Sequence, residues 1–479
     1  MEWEMELKIA KMNGSEVQPQ SPSLCSDDNG CIKRTGNVWT TSARIITAVI
    51  SSGLPFLAWA IAQLGWIAGP TVMFLFSLVF YYTASLLADC YQSGDPVTGK
   101  RNNTYSDAVR ANLGGVKVKI CGVIEYLYLF GVAIGYTVTA SISMMAIKRS
   151  NCFHKSGGKH PCQLSSNHYM IMFGISEIIF CQIPIINQIF CLSVVTAVMS
   201  FTYSSIGLGL GIARVAARSS FKGSLTGISI GTVTQTQKIW RSFQALGDIA
   251  SAYSHLTILI KIQNTIESPH LESKTMKKAT LLSITITTAF KMLCACMAYA
   301  SFGDRTPSTL LSGFGFHNPF WLLDIANVAL IIHLVSAYQL CCQPLLAFVE
   351  KWAIQRFPNS EFITREIPIP FGNRPYKLSL FRLVWRSTFV VVTTIISMLL
   401  PFSTDVFGVV GSFGFWPLTV YFPVEMYIAQ KKIPKWSAKW VCLQIFSLAC
   451  LIILVAAMVG SIAGVVIDLK TYRPFKTKY

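Results

Sequence analysis

The sequence of 479 residues predicts an all-α polytopic membrane protein with about eleven transmembrane helices. Hydrophobic residues make up 52% of the chain and charged residues only 13%, with a mean hydropathy of +0.49. This composition is too apolar for an ordinary soluble protein of this length. The apolar residues also form successive runs, each long enough to cross the bilayer core of about 30 Å.

We number the apolar runs spans 1 to 11 in chain order. They lie near residues 37–66, 67–91, 120–147, 168–186, 189–215, 238–262, 279–302, 319–350, 381–401, 405–428 and 439–466. Residues 168–215 count as two spans, because one helix at about 1.5 Å per residue would extend about 70 Å. The polar residues 1–36 contain no signal-peptide pattern and are expected to form a flexible cytosolic tail.

Span 1 is interrupted at its middle. Ser51, Ser52, Gly53 and Pro55 lie within the apolar stretch 45–70. A broken membrane helix exposes backbone amides and carbonyls where lipid offers no hydrogen-bonding partner, so protein, water or ligand must line the break. We therefore expect a binding site at this interruption.

Span 6 carries a second interruption at a matching position. Gly247 and Asp248 lie close to its centre, and span 6 begins the second set of five spans as span 1 begins the first. Paired interruptions of this kind indicate an inverted repeat with a midplane site, here with repeats near 37–215 and 238–428 and an extra helix near 439–466. The alternative is a continuous helix in which Asp248 forms a salt bridge at a helix interface.

The Lys and Arg residues of the short loops favour a cytosolic N-terminus, which places the tail 467–479 outside the cell. In the outer loop after span 3, Cys152 and Cys162 would face an oxidising compartment, where they either form a disulfide or remain free thiols. The net charge of +18 does not indicate nucleic-acid binding, because no basic repeat or cluster is present. No metal-ligand spacing or catalytic constellation occurs, so we expect neither a metal site nor an enzyme.

Several sequence blocks resemble one family of transporters. Examples are FGVAIGYTVTASISMMAIKRSNCFHKSGGKHPC, FQALGDIA and GSFGFWPLTVYFPVEMYI. These blocks, within a match from about Thr35 to the C-terminus, resemble the plant amino acid permeases of the amino acid/auxin permease family, part of the amino acid-polyamine-organocation superfamily. The resemblance implies five-plus-five inverted repeats with broken helices 1 and 6, an eleventh helix, and proton-driven uptake of amino acids across the plasma membrane. It implies the proton as coupling ion and no cofactor, and it leaves the oligomeric state open.

An amino acid zwitterion needs donors for its carboxylate and acceptors for its ammonium group, and two half-helix ends supply both. The predicted carboxylate site comprises Ser51, Ser52, Gly53 and Leu54. The predicted ammonium site comprises the backbone at Ala245, Leu246 and Gly247, with Asp248. For side-chain selection we expect Glu125, Tyr126 and Tyr128 on span 3, although plain packing would explain these residues equally well.

Proton coupling or gating is predicted at four polar residues. These are Asp324, Asn327 and His333 on span 8, and Arg44 on span 1. Buried carboxyl and imidazole groups can titrate in the working range. The alternative roles are a structural hydrogen-bond anchor for Asp324 and a satisfied core histidine for His333.

The chain also departs from the family pattern at the predicted site. The departures are Arg44, Ser51, Leu54, Pro55, Phe56, Glu125, Tyr128, Lys261, Asn264 and Lys291. A Cβ at position 51 would narrow the pocket. We expect Arg44 and Lys291 to snorkel to an interface or to pair with an acid such as Glu125.

The leading hypothesis is a proton-coupled symporter for neutral amino acids, with acidic amino acids as a further substrate class. A different class of function is a substrate-binding receptor or regulatory paralogue that keeps the fold without turnover. Within the transport class, the alternative is a carrier of auxin or a related substrate.

Overall fold

The computed structural model describes residues 36–50, 52–93, 100–157, 162, 164–183, 189–229, 233–267, 272–314, 320–371 and 374–471. The predicted N-terminal tail, Ser51 and residues 472–479 lie outside the described residues. In the described part of the chain the structure is helical apart from two short antiparallel hairpins. The hairpins pair Gln92–Ser93 with Lys100–Arg101 and Glu366–Phe371 with Arg374–Ser379.

Spans 1 and 2 are built from two helices. Val38–Val49 is the first half of span 1, and Leu54–Asp89 contains its second half together with span 2. Gly65 interrupts the second helix with a φ of 85°. The chain folds back at this point, since a Cβ on Gly69 would lie only 3.2 Å from the Cα of Ile61.

The other spans follow the predicted order. They are Gly115–Lys155 (span 3), Ser166–Gln182 (span 4), Ile189–Arg218 (span 5), Gln235–Ala252 with Thr257–Gln263 (span 6), Glu272–Phe302 (span 7), Phe320–Arg356 (span 8), Leu380–Leu399 (span 9), Ser403–Gly414 with the π-helical Phe415–Tyr421 and Phe422–Gln430 (span 10), and Ala438–Thr471 (span 11). Short helices at Tyr105–Leu113 and Glu361–Thr364 and 3₁₀ turns at Gly303–Arg305 and Ser312–Phe314 lie between spans.

Among the described residues, eight helices are long and apolar enough to cross a membrane. Spans 4 and 6 are not among these eight helices, span 4 because it is short and span 6 because it is interrupted and its longer piece is too polar. Ser166–Gln182 has 17 residues, and span 6 is divided into pieces of 18 and 7 residues. The predicted class, an all-α polytopic membrane protein with broken spans 1 and 6, is confirmed.

The spans pack as two groups that repeat with a period of five. Spans 1, 2, 6 and 7 contact one another, and spans 3, 4, 8 and 9 form a second group. Span 5 packs against spans 7 and 8, while span 10 contacts spans 3, 6 and 11. Spans 1 and 2 therefore lie in the same group as spans 6 and 7, their counterparts in the second repeat, and spans 3 and 4 lie with their counterparts 8 and 9, as an inverted repeat requires.

The break in span 6 lies later in the chain than predicted. Gln235–Ala252 is one regular helix that includes Gly247 and Asp248, and the interruption begins only at Tyr253. Gly247 is needed for packing rather than for unwinding, because a Cβ there would lie 2.5 Å from the carbonyl oxygen of Gly408. The predicted position of the break at residues 247–248 is therefore wrong, and because the carbonyls of residues 245–247 lie within the helix, the carbonyls at its end are those of the last turn before Tyr253.

Candidate functional site

The break in span 1 creates the start of a new helix inside the protein. The first half of the span ends at Val49, and the second half begins at Leu54 after Gly53, which has a φ of 67°. Pro55 stands in the first turn, where its missing N–H is tolerated. By helix geometry the first amides of the new helix have no intrahelical acceptor, and they carry the positive end of its dipole. This end can bind an anion.

The break in span 6 provides the opposite pole. The helix Gln235–Ala252 ends there, and its last carbonyls accept hydrogen bonds from side chains of other spans. Ser52 Oγ donates to the carbonyl of Ser251 at 3.2 Å, and Lys291 Nζ donates to the carbonyl of Ala252 at 2.9 Å. The negative end of this helix therefore faces the positive end of the half-helix in span 1.

The two breaks are in direct contact at Gly53. A Cβ on this residue would lie 2.6 Å from the Cβ and 2.7 Å from the Cα of Ala252. Because Gly53 also has a positive φ, both its backbone conformation and its surroundings require glycine.

A cavity of about 50 Å³ lies beside this contact. Its walls come from both breaks and from spans 3, 8 and 10. The lining residues are Ser52, Gly53, Pro55, Phe56, Tyr128, Val132, Tyr136, Thr139, Ser251, His333, Leu334, Phe407 and Val410. At about 10–15 Å³ per water molecule, the space corresponds to about four waters, so larger ligands require the walls to move.

His333 forms part of the cavity wall and is buried. Its Nδ1 lies 3.1 Å from the carbonyl oxygen of Thr196 and 2.9 Å from Ser200 Oγ. Since a carbonyl can only accept, we assign the ring proton to Nδ1. No described residue hydrogen-bonds Nε2, which leaves this nitrogen as an acceptor next to the cavity.

Aromatic side chains cover one wall of the cavity. The rings of Phe56 and Phe407 stack with centroids 4.5 Å apart, and Tyr136 lies 6.2 Å from Phe407. Phe56 belongs to the second half of span 1 and Phe407 to the first turns of span 10. The stack joins span 1 to span 10 across the cavity.

Tyr128 reaches the break of span 6 from span 3. Its hydroxyl donates to the carbonyl of Ser254 at 3.2 Å, within the interrupted segment. Tyr126, two residues earlier, does not line the cavity. Its ring packs on Phe348, with the ring centroids 4.6 Å apart. Glu125 lies within electrostatic range of Lys261 in the second half of span 6 and does not line the cavity.

Two predicted gating residues on span 8 lie away from the cavity. Asp324 is half-buried and accepts a hydrogen bond from Asn151 Nδ2 at 3.0 Å, which joins the start of span 8 to the end of span 3. Asn327 is buried and donates to the carbonyl of Leu323 in its own helix at 3.0 Å. Of the three predicted residues on span 8, Asp324, Asn327 and His333, only His333 lies in the cavity wall.

Lys291 differs from the expectation that it would snorkel to an interface or pair with an acid. Lys291 neither snorkels nor pairs with Glu125: it is 1% exposed, holds the carbonyl of Ala252 and lies 5.4 Å from the centroid of Tyr253. The reason is that the broken helix offers a carbonyl that needs a donor. Arg44 is half-buried, and its Nη1 has no hydrogen-bond partner among the described residues.

The remaining predicted residues lie beside the cavity rather than in its wall. Leu54 begins the half-helix and is buried, and Ala245 is buried within span 6. Leu246 lines a separate apolar groove with Phe76 and Phe415. Asp248 is fully buried. In the predicted outer loop, Cys152 and Cys162 form a disulfide with a Cα–Cα distance of 5.8 Å.

Sequence reasoning missed part of the cavity wall on span 3. Tyr128, Val132, Tyr136 and Thr139 follow one another at spacings of four, four and three residues. This spacing defines one helix face, so a helical projection started from Tyr128 would have found the other three. No spacing pattern in the sequence identified Phe407 or Ser251 as cavity residues.

These features define a membrane protein of the five-plus-five inverted-repeat class. The solved crystal structure of MhsT in complex with L-phenylalanine has the same fold, with a TM-score of 0.55 at 13% sequence identity over 90% of this chain and 99% of that chain.

The sequence comparisons identify the family. The family model described as transmembrane amino acid transporter protein matches residues 34–467. Amino acid permease 3 of Arabidopsis thaliana is 66% identical over 454 residues, which cover 95% of each chain. Amino acid permease 2 of the same plant is 66% identical over 97% of this chain and 94% of its own. The chain belongs to the transmembrane amino acid transporter family, whose members are transporters rather than enzymes.

Proposed function

We propose that the chain is a proton-coupled symporter that imports neutral amino acids, and acidic ones as a further class, across the plasma membrane by alternating access. The observation that carries this proposal is the cavity between two half-helix ends of opposite polarity. Membership of the family supports the substrate class, because two relatives that are 66% identical to this chain are named amino acid permeases.

The substrate carboxylate is assigned to the start of the half-helix in span 1. The amides at Gly53 and Leu54 lie at its positive end, and Ser52 lines the cavity, where its hydroxyl would have to leave the carbonyl of Ser251 to donate to the substrate. A half-helix end of this kind is equivalent to roughly half a positive charge. It therefore favours a carboxylate over a neutral group.

The substrate ammonium group is assigned to the carbonyl end of the first half of span 6. Ser251 lines the cavity, whereas the carbonyl of Ala252 is already held by Lys291. His333 Nε2 offers a second acceptor on the opposite wall. Lys291 Nζ donates to the carbonyl of Ala252, next to Ser251 of the cavity lining, and an ammonium group at this position would favour acidic amino acids as substrates.

Alternating access follows from the small size of the cavity. An amino acid larger than about four water molecules cannot enter while Phe56 and Phe407 are stacked. Movement of the group formed by spans 1, 2, 6 and 7 against span 10 would separate the two rings. Such motion between packed helix groups is a common mode of opening in transporters.

The test is uptake of a panel of labelled amino acids by cells that lack their own amino acid uptake. We expect concentrative uptake that rises as the external pH falls, with alanine and glutamate both transported. Binding of amino acids without accumulation would reject transport and support the receptor or regulatory function instead. Accumulation of auxin but of no amino acid would reject the substrate class.

A further inference from the structure

A buried carboxyl group without a partner lies next to the substrate cavity. Asp248 on span 6 is 0% exposed, and neither of its oxygens has a hydrogen-bond partner among the described residues. Asp405 at the start of span 10 is also buried and interacts electrostatically with Asp248. Neither carboxylate is part of the cavity wall.

The face of span 6 that carries Asp248 is fixed against span 10 at three positions. Gln244 Nε2 donates to Asp405 Oδ1, and Gly247 lies against the backbone of Gly408. Ser251 lies against Gly411, where a Cβ would stand 2.6 Å from the Ser251 nitrogen. Positions 244, 247, 248 and 251 share one helix face, so Asp248 lies within this interface.

Three carboxyl groups, Asp248, Asp405 and Asp468, follow one another from the interface to the surface with increasing exposure. Asp468, near the end of span 11, is exposed and interacts electrostatically with Asp405. Gly464 leaves space for the Asp405 carboxylate, since a Cβ there would lie 2.8 Å from Asp405 Oδ1. In the orientation favoured by the loop charges, the end of span 11 and the start of span 10 face the exterior.

The series ends beside the cavity. Ser251 Oγ donates to the backbone carbonyl of Asp248 at 2.7 Å, and Ser251 itself lines the cavity. A change in the position of Asp248 would therefore move a residue of the substrate site.

Among the described residues, no cation contacts the Asp248 carboxyl group; Lys291, on span 7, donates to the carbonyl of Ala252 instead. Span 10 contributes Asp405 and span 11 contributes Asp468, whereas Leu54–Asp89, which also packs on span 6, contains no charged residue before Asp89. Arg241, on span 6 itself, acts on Asp405 and Asp468. An ionised carboxylate buried without a partner costs several kcal/mol, so Asp248 is a neutral carboxylic acid in this closed state.

We propose that Asp248 and Asp405 together hold the coupling proton, which reaches them from the outer surface past Asp468. This proposal rests on the proposed proton-coupled function. When span 6 moves relative to span 10, water reaches the pair, an O–H bond breaks, and the proton leaves to water while the carboxylate becomes hydrated. Loading from outside and release inside would couple the proton to the substrate through Ser251.

The first test is Asp248→Asn, which keeps the shape of the protonated acid but cannot release a proton. Uptake is measured at two external pH values about two units apart, together with exchange of labelled for unlabelled substrate under equal concentrations. We expect the ratio of uptake at the two pH values to fall to about one, because the carboxyl group that links the bound proton to Ser251 of the cavity is gone, even though Asp405 remains. Exchange should persist, which separates loss of coupling from loss of folding.

Two further variants keep the test decisive if Asp248→Asn does not reach the membrane. Asp405→Asn removes the neighbouring negative charge and should move the pH of half-maximal uptake by about one unit towards acid. Asp324→Asn is the comparator, since this carboxylate also lies in a span but accepts from Asn151 outside the cavity. It should retain the wild-type pH dependence.

The outcomes separate the two proposals. If wild-type uptake does not depend on pH, the proposed proton coupling fails. If wild-type uptake depends on pH and Asp248→Asn or Asp405→Asn retains the unchanged profile, the proposed proton site is wrong while the coupling stands. Loss of the dependence in Asp324→Asn alone would place the proton on span 8.

Discussion

At the scale of single residues, Gly53 is the point on which the site depends most. Its φ of 67° and the closeness of Ala252 leave no room for a side chain. For an L-residue the left-handed conformation alone costs about 1–2 kcal/mol. The contact between the two breaks therefore requires glycine at this position.

We predict that Gly53→Ala abolishes uptake, because the added Cβ would force the breaks apart. The control is Gly209→Ala on span 5, where the Cβ would have no atom within 4 Å. Uptake and surface expression are measured for both. Normal uptake by Gly53→Ala would show that the breaks need not touch during transport.

Phe56 provides a second prediction at this scale. Its stack with Phe407 covers the cavity, and an aromatic pair contributes about 0.5–1.5 kcal/mol beyond the area that it buries. Phe56→Ser should therefore raise kcat/KM for phenylalanine relative to alanine by about two- to tenfold.

The matched control is Phe201→Ser, because Phe201 pairs with Phe290 at 6.1 Å and does not line the cavity. It should leave the ratio of the two substrates unchanged. An unchanged ratio in Phe56→Ser would mean that the aromatic stack does not limit the size of the substrate.

At the scale of elements, the break of span 6 is held in place by neighbouring spans. Tyr128 donates to Ser254, Lys291 donates to Ala252, and Ser52 donates to Ser251. These contacts add side-chain donors to carbonyls at the helix end and in the interrupted segment, of which Ser251 also accepts from the backbone N–H of Ser254. The segment is therefore ordered by spans 1, 3 and 7 and not by its own sequence.

We predict that Tyr128→Phe raises KM by at least about fivefold, because an unsatisfied buried carbonyl costs about 1–3 kcal/mol. Tyr126→Phe is the control on the same span, since the Tyr126 ring packs on Phe348 away from the cavity. Substrate titrations of uptake compare the two variants. A larger change in KM for Tyr126→Phe would contradict the assignment of the span 3 face.

The sequence predicted the elements better than it predicted the contacts at their ends. Span order, the two broken spans and the cavity residues Ser52, Gly53, Tyr128 and His333 follow from apolar periodicity and helix-breaking residues. The break of span 6 was misplaced because Gly247 has the same signature whether it unwinds a helix or packs against Gly408. Lys291 could not be placed from sequence, since its partner is a backbone carbonyl made available only by the fold.

At the scale of the whole molecule, the two groups of spans meet at the cavity. Spans 1 and 6 bring opposite half-helix ends, and spans 3 and 8 supply Tyr128 and His333 from the other group. The aromatic stack lies between spans 1 and 10, and the carboxyl groups lie between span 6 and spans 10 and 11. Both contacts would change if the group formed by spans 1, 2, 6 and 7 moved. Substrate binding and proton release are therefore expected to respond to one motion.

The most direct measurement is amino acid uptake by the purified protein in sealed liposomes with an acidic exterior. We predict that labelled alanine accumulates inside above its external concentration and that the excess disappears when a protonophore collapses the pH gradient. Binding of alanine at the cavity without accumulation, or accumulation that persists after the gradient is collapsed, would contradict a proton-coupled symporter.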